Sequence, residues 1–237
     1  MALEVRGIKK SFGDLKVLDG IEFTVGKGKF ACIVGESGCG KTTLLRIMAG
    51  IERPDEGSIT YDGQPVKTED VGYVFQDDRL LPWMSALENI RFVLRVRGID
   101  DEAIALRYLE LVGLRGFENY YPHQLSGGMR QRVGICRALA INPKILLMDE
   151  PFASLDAQTR NRMQKELIRI WEGDRKTVVF VTHSIDEAVF LADEIIVLSK
   201  RPARVVEIVE IDMKRPRDRT DREFTEYRKR IMEHLSP

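Results

Sequence analysis

Residues 35–43 decide the fold of this chain, and they read Gly35-Glu36-Ser37-Gly38-Cys39-Gly40-Lys41-Thr42-Thr43. Two glycines separated by four residues and followed by Lys and Thr match the phosphate-loop pattern. The segment before them, Phe30–Val34, is a short apolar run typical of a buried strand, and residues 43–49 have the spacing of an amphipathic helix. The sequence therefore predicts a strand, a glycine loop and a helix in that order.

These residue types suit the capture of an anion by backbone amides. Glycines let successive N–H groups turn inward, and a helix N-terminus adds unpaired N–H groups and partial positive charge. Lys41 is expected to reach the β- and γ-phosphates of a nucleotide, and the Thr42 hydroxyl to ligate Mg²⁺. Because the pattern arises by chance in only about one per cent of chains this long, we predict nucleotide binding.

Composition narrows the class of protein. The 237 residues carry 37 Lys and Arg against 37 Asp and Glu, a balance that gives no indication of nucleic-acid binding. Three cysteines argue against a disulfide framework and for a reducing compartment. Since the sequence has neither an apolar run of membrane-spanning length nor a signal-peptide pattern at residues 1–6, we expect a soluble intracellular protein.

Strand patterns lie on both sides of the loop. Residues 5–9 and 21–25 alternate like strands, with turns predicted at 13–14 and 19–20, and residues 71–75 form a later strand. Phe12 lies beside the first turn, and Gln76 ends the later strand. By pattern alone, Phe12 is a core or hairpin side chain and Gln76 an ordinary surface glutamine.

Helical periodicity replaces strand alternation over residues 77–137. Residues 85–88 have the capping-box pattern that opens a helix, and residues 101–112 form a second helix. This helical block between two strand-rich blocks predicts an inserted subdomain.

The block closes on a glycine-rich segment that reads Leu125-Ser126-Gly127-Gly128-Met129-Arg130-Gln131-Arg132. Ser126 is a suitable N-cap, and Gly127 and Gly128 leave their amides open to an anion. On this segment alone, a capped helix without a ligand is the favoured interpretation.

Carboxylates and a histidine follow two further apolar runs. Residues 145–148 precede Asp149 and Glu150, which predicts a central parallel strand whose C-terminal end faces a ligand. Asp149 suits the Mg²⁺ shell, and Glu150 suits orienting or deprotonating a water. His183 follows the run 177–182, although a lone histidine there is more often a surface or capping residue.

Taken together, these motifs resemble the ATPase domain of the ABC family in their order and approximate spacing, over essentially the whole chain. The motif set includes Ser154-Leu155-Asp156 between the carboxylate pair and His183. The resemblance implies an α/β fold, with a P-loop NTPase (RecA-like) core, an antiparallel β subdomain and an inserted α-helical subdomain. It implies one domain, divided into a core with its β subdomain (1–76 and 138–212), a helical subdomain (77–137) and a tail (213–237) that is helical from residue 221.

The same resemblance implies a head-to-tail pair of copies with ATP and Mg²⁺ at the interface. Each ATP would lie between the phosphate loop 35–43 of one copy and the glycine-rich segment of the other. The contacts to the γ-phosphate from that second copy would come from Ser126, Gly127 and Gly128. Met129 departs from the usual Gln, at a position outside the main phosphate contacts.

Single residues receive roles from the resemblance as well. Phe12 would stack on adenine, Gln76 would sense the metal and the attacking water, and His183 would contact the γ-phosphate. Asp149 would join Thr42 and Gln76 in the Mg²⁺ shell, leaving Glu150, His183 and Gln76 as the catalytic set.

Two phrases narrow the subfamily, Leu80-Leu81-Pro82-Trp83 and Arg215-Pro216-Arg217-Asp218-Arg219. Both resemble the nitrate/sulfonate/taurine class of bacterial importers. The resemblance implies a subunit at the cytoplasmic face of the cell membrane, docked on separate permease subunits and served indirectly by a solute-binding protein. Trp83 is interpreted equally well as part of the groove for a permease helix or as an ordinary exposed or core residue.

Two other functions are compatible with a phosphate loop. A soluble ABC-type ATPase in protein assembly or DNA maintenance is the alternative, although the balanced charge and the lack of a coiled-coil insertion argue against it. A P-loop kinase of a small metabolite leaves residues 125–132 and His183 unexplained.

Overall fold

The computed structural model of the chain describes residues 2–235, without the side chain at position 174. Residue 1 of the N-terminal segment and residues 236–237 of the predicted tail lie outside the described residues. The strands are β1 (Ala2–Phe12), β2 (Leu15–Gly26), β3 (Phe30–Val34), β4 (Glu56–Tyr61), β5 (Gln64–Pro65), β6 (Val71–Val74), β7 (Ile145–Asp149), β8 (Thr177–Val181), β9 (Glu194–Leu198) and β10 (Val205–Glu210). The helices are α1 (Lys41–Met48), α2 (Ala86–Val96), α3 (Glu102–Leu111), α4 (Gly127–Ala140), α5 (Ala157–Asp174), α6 (Ile185–Leu191) and α7 (Arg222–Leu235).

The chain divides into two compact units. Unit 1 comprises Met1–Val71 and Arg175–Pro237, and unit 2 comprises Gly72–Asp174. Compactness alone does not define subdomains, so the predicted boundaries between core, helical subdomain and tail remain predictions.

Unit 1 contains strands of two sheets. One has the order β2-β1-β4-β5 and is antiparallel throughout. In the other, β3 lies between β8 and β9 and runs parallel to both, while β10 pairs antiparallel with β9. Every residue of β3 and β8 is buried, which explains why both strands are continuous apolar runs in the sequence. The phosphate loop follows the central strand of this group.

The predicted turn at residues 19–20 is wrong. Gly20 has a φ of 75°, but the chain continues through it as part of β2. Asp19 still pairs with Lys9, and the register between β1 and β2 shifts just before that pair. The glycine conformation therefore accompanies a local irregularity of the ladder instead of a chain reversal. The reversal comes at Gly13, as predicted.

Unit 2 contains α2 to α5 and the neighbouring strands β6 and β7. The predicted capping box at the start of α2 is confirmed, because Glu88 N donates to Ser85 Oγ at 3.2 Å and Ser85 N donates to Glu88 Oε2 at 2.7 Å. The second predicted helix is α3, which begins after its N-cap Asp101. Over residues 2–235, none of the helices has both the length and the apolar character needed to cross a bilayer.

Candidate active site

The phosphate loop connects β3 to α1 in unit 1, as the sequence predicts. Gly40 is the N-cap of α1 and has a φ of 122°, which L-residues rarely adopt. A Cβ at this position would lie 2.8 Å from Leu18 Cδ2 and 2.9 Å from Val17 Cγ1. Both the backbone and the neighbouring side chains therefore require glycine where the loop enters the helix.

Lys41 lies inside the curve of this loop. Its side chain is buried, and Nζ donates to Gly35 O at 2.8 Å and to Glu36 O at 2.9 Å. Cys39 packs beneath the loop, and its burial raises the pKa of the thiol, which is therefore protonated at neutral pH. The ammonium of Lys41 is thus held at the concave side of the loop, where an anion would be bound.

Phe12 and His183 also belong to unit 1. Phe12 ends β1 with about half of its surface exposed, so it is not the core side chain that its pattern allowed. Lys10 Nζ lies 5.1 Å from the centroid of its ring. His183 is exposed and lies between β8 and α6, directly after the buried Thr182.

The carboxylate pair lies at the end of β7 in unit 2. Asp149 is the last residue of the strand and is buried, and Tyr73 Oη donates to its Oδ2 at 3.3 Å. Glu150 follows with a φ of 44°, a left-handed conformation that costs a residue of this kind about 1–2 kcal/mol. Strain of this kind is concentrated at functional positions, where the surrounding structure maintains it.

Gln76 is exposed just beyond β6, and α4 holds the segment around it. Gln131 Nε2 donates to Phe75 O at 3.1 Å, and Arg130 Nε pairs with Asp78 Oδ2 at 2.8 Å. The sequence motifs predict no role for the side chains of Arg130 and Gln131. Their partners lie more than fifty residues away, so no local pattern could have revealed the connection.

The glycine-rich segment forms the first turn of α4. Ser126 is its N-cap, and Met129 N donates to Ser126 Oγ at 3.3 Å, which confirms the predicted cap. Ser126 and Gly127 are exposed, while Gly128 is half-buried. Arg132 Nε donates a hydrogen bond to Gly128 O, in this first turn, at 3.4 Å. The N-terminus of α4 is therefore capped by Ser126, and its first residues are accessible to solvent.

Unit 1 thus contains the phosphate loop 35–43, Phe12 and His183, and unit 2 contains Gln76, residues 126–128 and the carboxylate pair. All three cysteines of the chain are free and buried. Among residues 2–235, no group of three or more His, Cys, Asp or Glu side chains could hold a metal ion by itself.

The model of the family described as "ABC transporter" matches residues 18–153, more than half of the chain. The chain belongs to the ABC transporter family. As an ABC ATPase, it binds and hydrolyses ATP.

Several curated proteins are similar to this ABC ATPase over nearly its whole length. An uncharacterised ABC transporter ATP-binding protein of Methanocaldococcus jannaschii, MJ0412, is 52% identical and is matched over 98% of this chain and 91% of its own length. The aliphatic sulfonates import ATP-binding protein SsuB of Bacillus cereus is 40% identical, over 99% and 96%. The taurine import ATP-binding protein TauB of Yersinia pestis is 46% identical, over 86% and 82%.

A solved structure with the same fold is the ATP-binding cassette MJ0796, a dimer in a post-hydrolysis state bound to ADP and Pi. It superposes on this ABC ATPase with a TM-score of 0.81 and 32% identity, covering 90% of this chain and 100% of its own. The predicted fold class, a P-loop NTPase with antiparallel β and inserted helical parts, is thereby confirmed.

Proposed function

We propose that this ABC ATPase powers an importer, docked at the cytoplasmic face of the cell membrane on separate permease subunits. The proposed solute is a sulfonate, taurine, nitrate or a related small solute, delivered to the permease by a solute-binding protein. The named import functions of the SsuB and TauB relatives support this proposal. They disfavour the alternative of a soluble ATPase in protein assembly or DNA maintenance.

The single observation that carries the catalytic part is the geometry of the phosphate loop. Gly40 is the N-cap of α1, and the ammonium of Lys41 lies at the concave side of the loop. We propose that the amides of residues 35–43 and Lys41 bind the β- and γ-phosphates of ATP. The half-exposed ring of Phe12 would stack on the adenine.

We further propose that two copies close head to tail over two ATP molecules. The γ-phosphate held by the loop of one copy would meet Ser126, Gly127 and Gly128 of the other. The accessible N-terminus of α4, a helix of 14 residues, supports this role because its amides and partial positive charge attract an anion. Loss of the γ-phosphate on hydrolysis would remove the bridge and let the pair open.

The residues proposed for Mg²⁺ are Thr42, Gln76 and Asp149. Their hydroxyl, amide and carboxylate oxygens fit this hard cation, which is usually held by one or two protein carboxylates together with phosphate oxygens. When bound, the cation would neutralise charge on the β- and γ-phosphates.

Glu150 is proposed as the group that orients and deprotonates the attacking water, with Gln76 and His183 contacting the reacting groups. The strained φ of Glu150 supports a functional role, since an ordinary connection after β7 would not require it.

The permease would dock on an exposed apolar surface of unit 2. Trp83 is 69% exposed, and Phe92 and Val96 of α2 are also exposed. The core interpretation of Trp83 is therefore wrong, and an exposed tryptophan is a common anchor of protein interfaces. A cytoplasmic helix of the permease is the proposed partner.

The experiment that tests the catalytic assignment compares Glu150→Gln with Glu172→Gln, a matched change at an exposed glutamate of α5. We expect Glu150→Gln to lower kcat by about 10²–10⁴-fold while ATP still binds and dimer accumulates. Glu172→Gln should hydrolyse ATP normally. Native turnover by the Glu150 variant would remove this residue from the chemistry.

A further inference from the structure

The segment at residues 215–219 of the tail resembles the nitrate/sulfonate/taurine importer class, but none of its residues takes part in the proposed ATP chemistry. Two of its arginines lie inside unit 1. Arg217 is 6% exposed, and the Arg215 side chain is 14% exposed. Buried guanidinium groups are costly unless their donors are satisfied, so what they contact is informative. We refer to Arg215 and Arg217 as the arginine clamp.

The arginine clamp contacts the C-terminal end of α6. The last carbonyls of a helix have no partner within the helix, and α6, with seven residues, is too short to be stable alone. Arg215 Nη2 donates to Leu191 O at 2.6 Å. Arg217 Nη1 donates at 2.7, 3.4 and 2.6 Å, respectively, to the carbonyl oxygens of Val189, Phe190 and Ala192. Four consecutive carbonyls at this helix end are therefore bound by the clamp.

Electrostatics favour the same arrangement. Burial, with a contribution from the charge of Arg215, lowers the pKa of Arg217 to about 10, so its guanidinium is still a cation at neutral pH. A cation at a helix C-terminus complements the negative end of the helix dipole. The clamp thus supplies both the donors and the charge that this helix end requires.

The clamp is itself anchored to the strand that leads into the phosphate loop. Arg215 Nη1 pairs with Asp193 Oδ1 at 2.7 Å, and Asp193 Oδ2 accepts a hydrogen bond from Phe30 N, the first residue of β3, at 2.9 Å. Arg217 Nε donates to Met213 O at 3.2 Å, which fixes the guanidinium within its own segment. The position of α6 is therefore set relative to β3.

His183 lies at the other end of this short helix. Ser184 caps α6, and Thr182 Oγ1 donates to Glu187 Oε2 at 2.6 Å, so the residues on both sides of His183 are tied to the helix. The tail adds two further contacts to α6. Arg219 lies 4.2 Å from the ring centroid of Phe190, and Arg228 Nη1 lies 3.5 Å from Asp186 Oδ1. Any rotation of α6 would therefore redirect His183.

We propose that the arginine clamp fixes α6 and thereby orients His183 toward the γ-phosphate, which makes Arg215 and Arg217 positioning residues for hydrolysis. This inference rests on the role of His183 given under the proposed function. In this proposal the tail of the chain affects hydrolysis indirectly, by holding α6 in place, and does not contact the nucleotide.

A double-mutant cycle tests the proposal, with Arg217→Met and His183→Ala measured singly and together. If the clamp acts through His183, Arg217→Met lowers kcat by about tenfold or more in the unmodified chain, while the KM for ATP changes by less than about twofold. In the His183→Ala background the same change should lower kcat by less than about twofold, because effects transmitted through one residue are not additive. An equal loss in both backgrounds overturns the proposal.

Two companion variants control for general destabilisation. Arg222→Met alters an arginine of α7 whose side chain is 93% exposed, and it should leave kcat unchanged. Arg217→Lys keeps the cation but loses the planar fork, so we expect a kcat between those of Arg217→Met and the unmodified chain. If Arg217→Met does not fold, the cycle is run with Arg217→Lys, and additivity there refutes the proposal equally.

Hydrogen exchange separates failure of the clamp from failure of the proposed function. In Arg217→Met we expect the amides of α6 to exchange at least about tenfold faster, while those of β8 keep their protection. Unchanged exchange in α6 overturns the clamp whatever the kinetics show. A normal kcat in His183→Ala instead overturns the role of His183, and faster exchange in α6 would still support the clamp as the device that fixes this helix.

Discussion

Gly40→Ala tests the phosphate loop at its most restrictive position. The substitution forces an alanine to a φ of 122° and brings its Cβ to 2.8 Å from Leu18 Cδ2 and 2.9 Å from Val17 Cγ1. The backbone strain costs about 1–3 kcal/mol and the steric overlap about 1–3 kcal/mol, so about 2–6 kcal/mol of the free energy of unfolding is lost. Because the loop must shift to relieve the overlap, ATP affinity should fall with stability.

Gly38→Ala is the matched control within the same loop. Gly38 has a φ of 75°, and among the described residues no heavy atom would lie within 4 Å of an added Cβ. Only the backbone term applies, so the expected loss is about 1–2 kcal/mol. Gly173→Ala, in α5, should instead raise the free energy of unfolding by about 0.5 kcal/mol, because alanine is the better helix former.

Thermal unfolding and nucleotide titration measure both quantities. For a chain of this length, about 1 kcal/mol moves Tm by about 2–4 °C, so a loss of about 3 kcal/mol in Gly40→Ala lowers Tm by about 6–12 °C. The Kd for ATP should rise more in Gly40→Ala than in Gly38→Ala. Equal losses of stability in the two variants would refute the argument that Leu18 and Val17 enforce glycine at position 40.

Three further predictions concern binding, coupling and pH. Lys41→Ala should weaken ATP binding by about tenfold or more, whereas Lys67→Ala, at an exposed lysine, should not weaken it. An unchanged ATP affinity of Lys41→Ala in a titration would contradict the phosphate-loop assignment. Trp83→Ala should lower permease-stimulated hydrolysis more than basal hydrolysis, and equal losses of the two rates would exclude a coupling role. Burial raises the pKa of Glu194 to about 7, so the folded chain binds this proton more tightly than the unfolded chain and stability from this group is lost as pH rises from about 4.5 to 7. Glu194→Gln should flatten that decline in urea unfolding measured at several pH values, while Glu22→Gln, at an exposed position, should leave it in place.

Local sequence patterns predicted much of the fold because their physical causes are local. The capping box at Ser85 and Glu88 needs only residues three apart, and it forms as expected. The buried strands β3 and β7 follow from uninterrupted apolar runs. The predicted turn at residues 19–20 does not form, because its cause is not local. Pairing of β2 with the neighbouring strand β1 overrides the preference of a glycine for reversing the chain.

In the candidate site, too, some features follow from local sequence and others only from the tertiary structure. The sequence alone predicted that a glycine loop after a buried strand would bind phosphate, because glycine conformations and helix N-termini depend on a few adjacent residues. It could not reveal that Leu18 and Val17 enforce Gly40, or that Glu150 has a left-handed backbone. Those constraints come from groups brought together by folding.

The tail marks the limit of what sequence determines. In the sequence, residues 215–219 are a charged segment that resembles the importer class, and nothing in the pattern indicates that its arginines are buried. The tertiary structure decided that Arg217 is buried and binds carbonyls of α6 that lie 25–28 residues earlier in the chain. A guanidinium can satisfy a distant helix end only after the chain has folded back on itself, and no residue pattern records that contact.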